Sequence, residues 1–309
     1  MPGSLVEITI ALHGEAAGRQ WLEQLPRILD ECAERWSLDL QPPFANLTYN
    51  YAAPAVRHDG TPVVVKAGFV PPDKELISEV AALFYWNGGG AVRLLESDLD
   101  QGLLLLERLV PGRPIGEIED DEEAISIAAT VLEQLWRAGA PRRDQPYSAA
   151  FPHTRDWGKG FARLRSHFGG TGPFPAELVE RAEHLWSELE DSKAEPAVVL
   201  HGDLNFGNVL SAEREPWLAI DPKGIIGEPA YDTGIFLRDP VDRILASDHP
   251  DQFLARRIDQ LADRLGFERS CIRDWGLAQA VLSAWWSIED EGSGWEPAIW
   301  CAEALARIH

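Results

Sequence analysis

The chain has 309 residues, of which 45% are hydrophobic and 25% are charged, so it is long enough for two lobes with more than one core. Asp and Glu outnumber Lys and Arg by 50 to 28, and the formal net charge of −22 disfavours nucleic acid and anionic membranes as partners. The same charge favours a cationic small-molecule substrate, although many acidic surfaces serve only solubility.

Three further features of the sequence bear on the cellular compartment. The three cysteines, at positions 32, 271 and 301, are too few and too widely spaced for a disulfide framework or a zinc site. The first residues lack the basic and then apolar plan of a signal peptide. No apolar run approaches the roughly 18 residues of a membrane span. We therefore expect a protein of the reducing cytoplasm with no membrane partner.

The first 110 residues predict helices and a small antiparallel sheet. Apolar residues recur at helical spacing over 16–36, and Pro26 is expected to divide this stretch into two short helices. Residues 44–56 and 62–67 predict two strands joined by a hairpin at Asp59-Gly60. Residues 73–86 predict a helix, and 91–95 and 103–107 predict two more strands.

Lys66 is the one charged residue in an otherwise apolar strand. It is either an edge-strand charge or a lysine that contacts the phosphates of ATP. The next helix carries Glu75 and Glu79, and a strand lysine followed by a helix glutamate is the order that kinases use. Glutamates are common in helices, so the pair alone is weak evidence. The glycines at 88–90 do not predict a phosphate-binding loop, because no strand leads into them and no helix begins from them.

A Pro/Gly-rich segment at 110–114 ends the strand pattern. We place a lobe boundary here, with an N-terminal lobe at 1–109 and a C-terminal lobe at 110–309. The segment is either a plain linker or a hinge. If it is a hinge, the backbone groups of Glu107 and Leu109, which directly precede it, would pair with adenine.

The rest of the chain is mainly helical in pattern. One helix follows a capping-box signal at Asp120 and Glu123 and ends at Gly139. Further helices are predicted over 154–168, 176–190, 251–265, 270–289 and 297–308, with 224–232 as a loop. The order of elements predicts an α+β fold of two unequal lobes, a small antiparallel-sheet N-lobe and a mainly helical C-lobe.

Residues 198–221 carry the strongest functional signal. Apolar, strand-like runs lead into the H-G-D motif at 201–203 and into Asp221, and Asp203 precedes Asn208 by five residues. This is the H-G-D-x-x-x-x-N spacing of a phosphoryl-transfer loop, in which the first Asp orients or deprotonates the acceptor hydroxyl. Asn and a second Asp offer the oxygen ligands that suit Mg²⁺.

The same residues also fit other interpretations. An H-G-D motif alone is also typical of a tight polar turn capped by Asp203, but the downstream Asn and Asp and the upstream lysine occur in the right order as well. His201 is predicted to brace the loop by hydrogen bonds rather than to transfer protons. No P-loop, G-x-S-x-G or H-E-x-x-H motif is present, which excludes the P-loop NTPases and the common hydrolase classes.

The motifs resemble one known family over nearly the whole chain. The resemblance rests on H-G-D-L at 201–204, N-V-L at 208–210, W-L-A-I-D-P-K-G at 217–224, G-E at 227–228 and Y-D at 231–232, and on G-G-A-V-R-L-L at 89–95, L-L-L-E-R at 104–108 and L-S-A-W at 282–285. These segments are similar to the aminoglycoside 6-phosphotransferase (streptomycin 6-kinase) and hydroxyurea phosphotransferase group of the aminoglycoside phosphotransferase family. D-P-K-G in place of the D-F-G of protein kinases is the most specific element.

The resemblance implies a bilobal, protein-kinase-like fold and ATP-dependent O-phosphorylation with Mg²⁺. It implies that Asp203 is the catalytic base, that Asn208 and Asp221 are metal ligands, and that Lys66 is the ATP lysine with Glu79 as its partner. The chain departs from protein kinases in lacking a G-x-G-x-x-G loop, so that residues 44–50 would have to cover the phosphates.

Lys223 lies within the D-P-K-G motif and Asp232 lies after it, and each allows two interpretations. Lys223 either neutralises phosphate or is a surface lysine. Asp232 is expected to hydrogen-bond the catalytic loop from below rather than to touch substrate.

The acceptor is expected to contact carboxylates and flat apolar surfaces, as a guanidinium- or amine-bearing sugar would require. The candidates are Asp156, Asp239, Trp286, Glu289 and Asp290. A buried tryptophan and a solvated helix end would explain several of them equally well. Three hypotheses follow: a kinase of an aminoglycoside-like cation, a kinase of an endogenous amino sugar, cyclitol or other small alcohol, and an inactive nucleotide-binding protein. The complete set of kinase residues argues against the third.

Overall fold

The computed structural model describes residues 3–45, 47, 49–70, 74–192 and 195–309, and it begins with two helices, α1 (Gly3–His13) and α2 (Glu15–Trp36). The predicted division at Pro26 is wrong, because α2 continues through this residue. A proline inside a helix costs about 3 kcal/mol. Burial of one whole apolar face of α2 offsets that cost. The buried side chains of this face are Trp21, Leu25, Ile28, Leu29 and Cys32.

A five-stranded antiparallel sheet follows. Its strands are β1 (Leu38–Leu40), β2 (Tyr51–Arg57), β3 (Pro62–Ala67), β4 (Leu94–Asp98) and β5 (Leu103–Glu107), in the spatial order β1-β2-β3-β5-β4. The predicted β2–β3 hairpin is confirmed. The strand predicted over 44–56 begins only at Tyr51, and β1 was not predicted. Pro42 and Pro43 follow β1 and have no amide hydrogen to donate, and a three-residue strand is too short to show alternation.

The two faces of this sheet belong to two hydrophobic cores. Leu103 and Leu105 contribute to a core with α1 and α2, whereas Leu104 and Leu106 contribute to the core that runs through the rest of the chain. Helix α3 (Lys74–Trp86) packs on this second face, as predicted; Asp73 lies outside the described residues. Because Lys66 is the register partner of Leu104, its side chain lies on the face that α3 covers.

The remaining elements are mainly helical. They are β6 (Pro111–Pro114), α4 (Asp121–Trp136), α5 (Thr154–Phe168), α6 (Ala176–Ser192), β7 (Val198–Leu200), β8 (Val209–Ala212), β9 (Trp217–Ala219), β10 (Ile225–Gly227), α7 (Val241–Leu245), α8 (Pro250–Leu265), α9 (Arg269–Glu291) and α10 (Glu296–Arg307). A short 3₁₀ turn spans Ile115–Glu117, and a longer 3₁₀ segment spans Pro229–Leu237. Strands β6, β8 and β9 form one small antiparallel sheet, and β7 pairs with β10.

The α+β fold class is confirmed, with corrections after residue 109. Strand β6 lies in the segment that was predicted to be a linker or hinge, and helix α7 was not predicted. Residues 224–232 were predicted to be a loop, but they contain β10 and the start of the long 3₁₀ segment. A three-residue strand and a 3₁₀ turn have no periodicity that could be recognised in the sequence. None of the helices among the described residues is long and apolar enough to span a bilayer.

Candidate active site

The H-G-D motif leaves β7 as a tight loop that Asp232 holds from beneath. The carboxylate of Asp232 accepts hydrogen bonds from the backbone amides of His201, at 3.0 Å, and Gly202, at 2.9 Å. Trp136 donates to the same carboxylate at 3.1 Å. The predicted bracing role of Asp232 is therefore confirmed. The position of Gly202 has a φ of 83°, where a side chain would be strained.

His201 braces the loop and is neutral. Its Nε2 lies 2.9 Å from the carbonyl oxygen of Ile220, and the amide of Asp203 donates to its Nδ1 at 3.2 Å. One ring nitrogen therefore donates and the other accepts, as a neutral imidazole does. Complete burial lowers the pKa of His201 to about 4, which excludes it as a proton carrier near neutral pH.

Asp203 is partly buried at the mouth of this loop. Desolvation raises the pKa of its carboxyl to about 6, and the charges of Arg238 and Lys223 oppose that increase. A carboxyl with such a pKa is ionised at neutral pH, yet is more basic than an exposed aspartate. Both are properties of a residue that accepts a proton during catalysis.

Lys66 joins the N-terminal sheet to the D-P-K-G motif. Its Nζ lies 2.7 Å from both carboxylate oxygens of Glu79, and it also contacts Asp221. Burial alone would lower the pKa of Lys66, but the two carboxylates raise it above its usual value, so the lysine is charged. The expected Lys66–Glu79 pair is thus confirmed, and the edge-strand alternative is wrong, since β3 lies inside the sheet and the lysine side chain is only 8% exposed.

The D-P-K-G motif packs directly against α3. The hydroxyl of Ser78 donates to the carbonyl oxygen of Lys223 at 2.6 Å, and a Cβ at position 224 would overlap the carbonyl oxygen of Ser78. Gly224 has a φ of 62° and Asp221 a φ of 59°, a conformation that is uncommon for a residue with a side chain. The close packing of the motif against α3 places Asp221 in contact with Lys66.

Asn208 and Asp221 offer two oxygen donors to a metal. The side-chain amide nitrogen of Asn208 donates to the carbonyl oxygen of Asp203 at 2.9 Å, so the amide oxygen is the side-chain atom that a metal could use. The side chain of Asp221 is 55% exposed, so a ligand can reach it. Among the described residues there is no group of three or more His, Cys, Asp or Glu that could hold a metal. Two oxygen donors suit Mg²⁺, which is usually held by one or two protein groups together with phosphates and water.

The hinge candidates lie at the end of β5. The carboxylate of Glu107 is bound by Arg214 through contacts of 2.9 and 3.0 Å, and its backbone amide donates to the carbonyl oxygen of Arg93 at 2.9 Å. Leu109 packs partly buried against the larger core. The predicted pairing of this backbone with adenine stays a prediction.

One cavity of about 680 Å³ connects these groups with the C-terminal helices. Lys66, Glu79, Asp203 and Asp221 line one part of it, and Tyr49 and Asn50 represent the predicted phosphate-covering segment; Asn46 and Thr48 of that segment lie outside the described residues. Four of the five acceptor candidates also line the cavity, namely Asp156, Trp286, Glu289 and Asp290.

Asp239 does not belong with these acceptor candidates. Asp239 is not among the described residues that line the cavity. Its carboxylate accepts a hydrogen bond from the backbone amide of Phe206 at 2.7 Å. Its charge therefore stabilises the turn between Asp203 and Asn208. A carboxylate near a catalytic motif in sequence can serve the backbone as well as the substrate, and sequence alone did not distinguish the two roles.

Sequence reasoning missed several residues of the cavity wall, and four of them matter most for the approach of ligands. Arg163 and Arg238 line it among the acidic and aromatic candidates, and Leu12 and His13 reach it from the end of α1. Isolated arginines on an amphipathic helix or after a 3₁₀ turn are usual at surfaces, so no motif pointed to them. Lys223, whose role was open, lines the cavity and pairs with Glu75 at 2.6 Å.

Comparison with known proteins shows where this arrangement belongs. Residues 44–292 match the family model of aminoglycoside/hydroxyurea antibiotic resistance kinases. The chain belongs to this family. It is 32% identical to a streptomycin 6-kinase of Streptomyces griseus over 99% of this chain and 97% of the relative. It is 36% identical to a hydroxyurea phosphotransferase of Kitasatospora aureofaciens over 94% of this chain and 81% of that one.

Solved structures confirm the kinase-like fold of this family member. An amicoumacin kinase superposes with a TM-score of 0.65 at 12% identity, over 91% of this chain and 92% of that one. The antibiotic resistance kinase described here is therefore a small-molecule phosphotransferase with a protein-kinase-like fold, as the motifs around Asp203 predicted.

Proposed function

We propose that this kinase transfers the γ-phosphoryl group of ATP to a hydroxyl group of a small cationic acceptor of the aminoglycoside type, such as streptomycin. One observation carries the proposal: a single cavity joins Lys66, Asp203 and Asp221 to a wall of tryptophans and carboxylates. The similarity to a streptomycin 6-kinase over almost the whole length of both chains supports this class of acceptor.

ATP would bind between the sheet and the catalytic loop. Lys66, fixed by Glu79, would contact the α- and β-phosphates, and the backbone of Glu107 and Leu109 would pair with adenine. The related amicoumacin kinase was solved with AMP-PNP and Ca²⁺, which supports a nucleoside triphosphate in this position. Lys223 lies near Asp203 and Asp221 and adds positive charge beside the phosphates.

Asn208 and Asp221 would hold Mg²⁺ through their side-chain oxygens. When bound, the metal neutralises charge that develops on the transferred phosphoryl group. The donor set fits, because both residues offer oxygen atoms next to the lysine that would contact the same phosphates.

Asp203 would orient the acceptor hydroxyl and take its proton. The hydroxyl oxygen then forms a bond to the γ-phosphorus, while the bond between that phosphorus and the bridging oxygen breaks and its electron pair leaves with ADP. Because such reactions depend mainly on placement and charge neutralisation, the protein needs few groups beyond those in the cavity.

A second class of acceptor, a small uncharged alcohol, is favoured by a different observation. The acceptor wall is the part of the cavity lined by the acceptor candidates Asp156, Trp286, Glu289 and Asp290. Within it, Glu289 is already paired with Arg163, and this pairing reduces the negative charge available to a cation. The similarity to a hydroxyurea phosphotransferase supports this alternative.

A panel assay tests the proposal. The protein is incubated with ATP and Mg²⁺ and with streptomycin, other aminoglycosides, hydroxyurea, amino sugars or cyclitols, and ADP release and phosphorylated product are measured. We expect acceptor-dependent ADP release with an aminoglycoside, and a loss of about 10²–10⁴-fold in kcat for Asp203→Asn. If no acceptor accelerates ADP release, the proposed function is wrong.

A further inference from the structure

We infer that the carboxylate of Glu289 binds a guanidinium group of the acceptor and that the side chain of Arg163 competes with the acceptor for this carboxylate. The pair therefore sets the preference between cationic and uncharged acceptors. The inference rests on the proposed function, because it assigns a specificity determinant within the same cavity.

The pair has the geometry of guanidinium recognition. Arg163 Nε lies 2.6 Å from one carboxylate oxygen of Glu289, and Nη2 lies 2.8 Å from the other. Two parallel hydrogen bonds of this kind are the preferred way in which a carboxylate binds a guanidinium group. The arginine side chain therefore occupies the position that a guanidinium group of an acceptor would take on Glu289.

The pair joins α5 and α9 across the acceptor wall. Both of its residues line the cavity that contains Asp203. Trp157 and Trp286 lie in the same wall, edge to face with ring centres 5.4 Å apart, and offer apolar surface to a sugar ring or a planar cation. Gly160, one turn before Arg163, lets the two helices approach closely, since a Cβ there would overlap Leu282.

Asp156, the other carboxylate on α5, is less available as a receptor. Its oxygens accept from the backbone amide of His153 at 3.2 Å and from Lys159 at 2.6 Å, so it caps the start of its own helix. Glu289 has no such role at a helix terminus in the hydrogen bonds of the described residues, and its partner is a side chain that can move away.

Partial exposure makes exchange of partners feasible. The side chains of Arg163 and Glu289 are 48% and 31% exposed. An ion pair in contact with water contributes little net stability, so an acceptor guanidinium can displace Arg163 at small cost. The hydrogen bonds to Glu289 and the nearby charge of Asp290 both raise the pKa of Arg163, so the competitor is always charged. Removing it would leave Glu289 and Asp290 facing the cavity without that charge.

Arg163→Gln and Glu289→Gln test the inference by equilibrium binding. Titration calorimetry with streptomycin, which carries guanidinium groups, measures Kd without turnover, and the KM for hydroxyurea reports on an uncharged acceptor. We expect Arg163→Gln to lower the Kd for streptomycin about 3- to 10-fold and Glu289→Gln to raise it about 10-fold. The KM for hydroxyurea should change less than about 2-fold in either variant.

Arg165→Gln is the matched control. Arg165 lies on the same helix and forms the same bidentate pair with Glu183, at 3.0 and 2.6 Å, but the pair joins α5 to α6. The inference is overturned if Arg163→Gln leaves the Kd for streptomycin unchanged or raises it. It is also overturned if Arg165→Gln lowers that Kd as much as Arg163→Gln does, or if streptomycin binds to neither Arg163→Gln nor the unaltered protein. Tighter binding without phosphoryl transfer to any acceptor would instead contradict the proposed function alone.

Discussion

Asp203 and Arg238 determine how activity should depend on pH. Asp203 must be ionised to accept a proton, and burial raises the pKa of its carboxyl to about 6, while Arg238 is the first of the charges that oppose the increase. Arg238 lines the cavity, and its buried Nη1 has no hydrogen-bond partner among the described residues. We infer that Arg238 keeps Asp203 ionised at neutral pH.

We predict that kcat/KM rises with pH through a value near 6 and that Arg238→Gln moves this acid limb to higher pH. The ionised form of Asp203 is the active one, so loss of the neighbouring positive charge raises its pKa and delays ionisation. Activity should therefore fall more at pH 6 than at pH 8. The measurement is a pH profile of kcat/KM with saturating ATP, with Arg165→Gln as control. An acid limb that stays in place in Arg238→Gln would contradict this role.

Sequence alone predicted the candidate catalytic and metal-binding residues because they share a short motif. Asp203 and Asn208 are separated by five positions, and Asp221 ends the next hairpin, so their spacing is visible without a structure. Arg163 could not be recognised, because its partner Glu289 is 126 positions away and only the packing of α5 on α9 brings them together.

Contact between α3 and the D-P-K-G motif connects the two halves of the site. Helix α3 carries Glu79, the partner of Lys66, and the motif carries Asp221. At Gly224 the backbone passes so close to the carbonyl oxygen of Ser78 that a side chain has no room. The spacing of these two elements therefore depends on a glycine.

We predict that Gly224→Ala lowers kcat at least about 10-fold and destabilises the protein by more than the cost of a left-handed residue, about 1–2 kcal/mol. The added methyl group must push α3 from the motif and disturb the Lys66–Asp221 contact. Urea unfolding and kcat measure both effects. Gly266→Ala is the control: its φ is 78°, no atom would lie within 4 Å of the new Cβ, and it should lose about 1–2 kcal/mol of stability but keep its activity. Equal kcat values for the two variants would contradict the role of this contact.

Long elements were predicted from sequence more accurately than short ones. The C-terminal helices were located to within a few residues because each shows several turns of apolar periodicity. Strands β1 and β10 have three residues each and were missed. Continuity of α2 through Pro26 was also missed, because burial of its apolar face decides the outcome and is not visible locally.

The net charge of −22 is a property of the whole molecule with a measurable consequence for catalysis. An acidic surface concentrates cations near the cavity, and salt screens the attraction over a distance of about 10 Å at 0.1 M. The field acts on every charged acceptor that approaches, whichever residues that acceptor contacts afterwards.

We predict that kcat/KM for a cationic acceptor falls severalfold as ionic strength rises from about 0.05 to about 0.5 M, with ATP kept saturating, whereas kcat/KM for hydroxyurea stays nearly constant. Initial rates at several salt concentrations are the measurement, and sodium and potassium chloride should give the same curve. An equal dependence for both acceptors would show that steering by charge does not contribute.

At the scale of the molecule, sequence predicted an α+β architecture and a site between a small sheet and a helical region. The boundary that we place after residue 109 remains a proposal, supported by the pairing of β6 with β8 of the catalytic region. The approach of α1 to the cavity was not predictable, because Leu12 and His13 lie far from the motifs in sequence and before the span that matches the family model.

Direct detection of the phosphorylated acceptor tests the central claim. Mass spectrometry of streptomycin after incubation with ATP, Mg²⁺ and the protein would show whether the γ-phosphate has moved to the acceptor, with Asp203→Asn measured in parallel. The structure predicts one added phosphate per streptomycin with the unaltered protein and a rate about 10²–10⁴-fold lower with Asp203→Asn. ATP hydrolysis without phosphorylation of streptomycin or any other hydroxyl-bearing acceptor, or equal transfer rates for the two proteins, would contradict it.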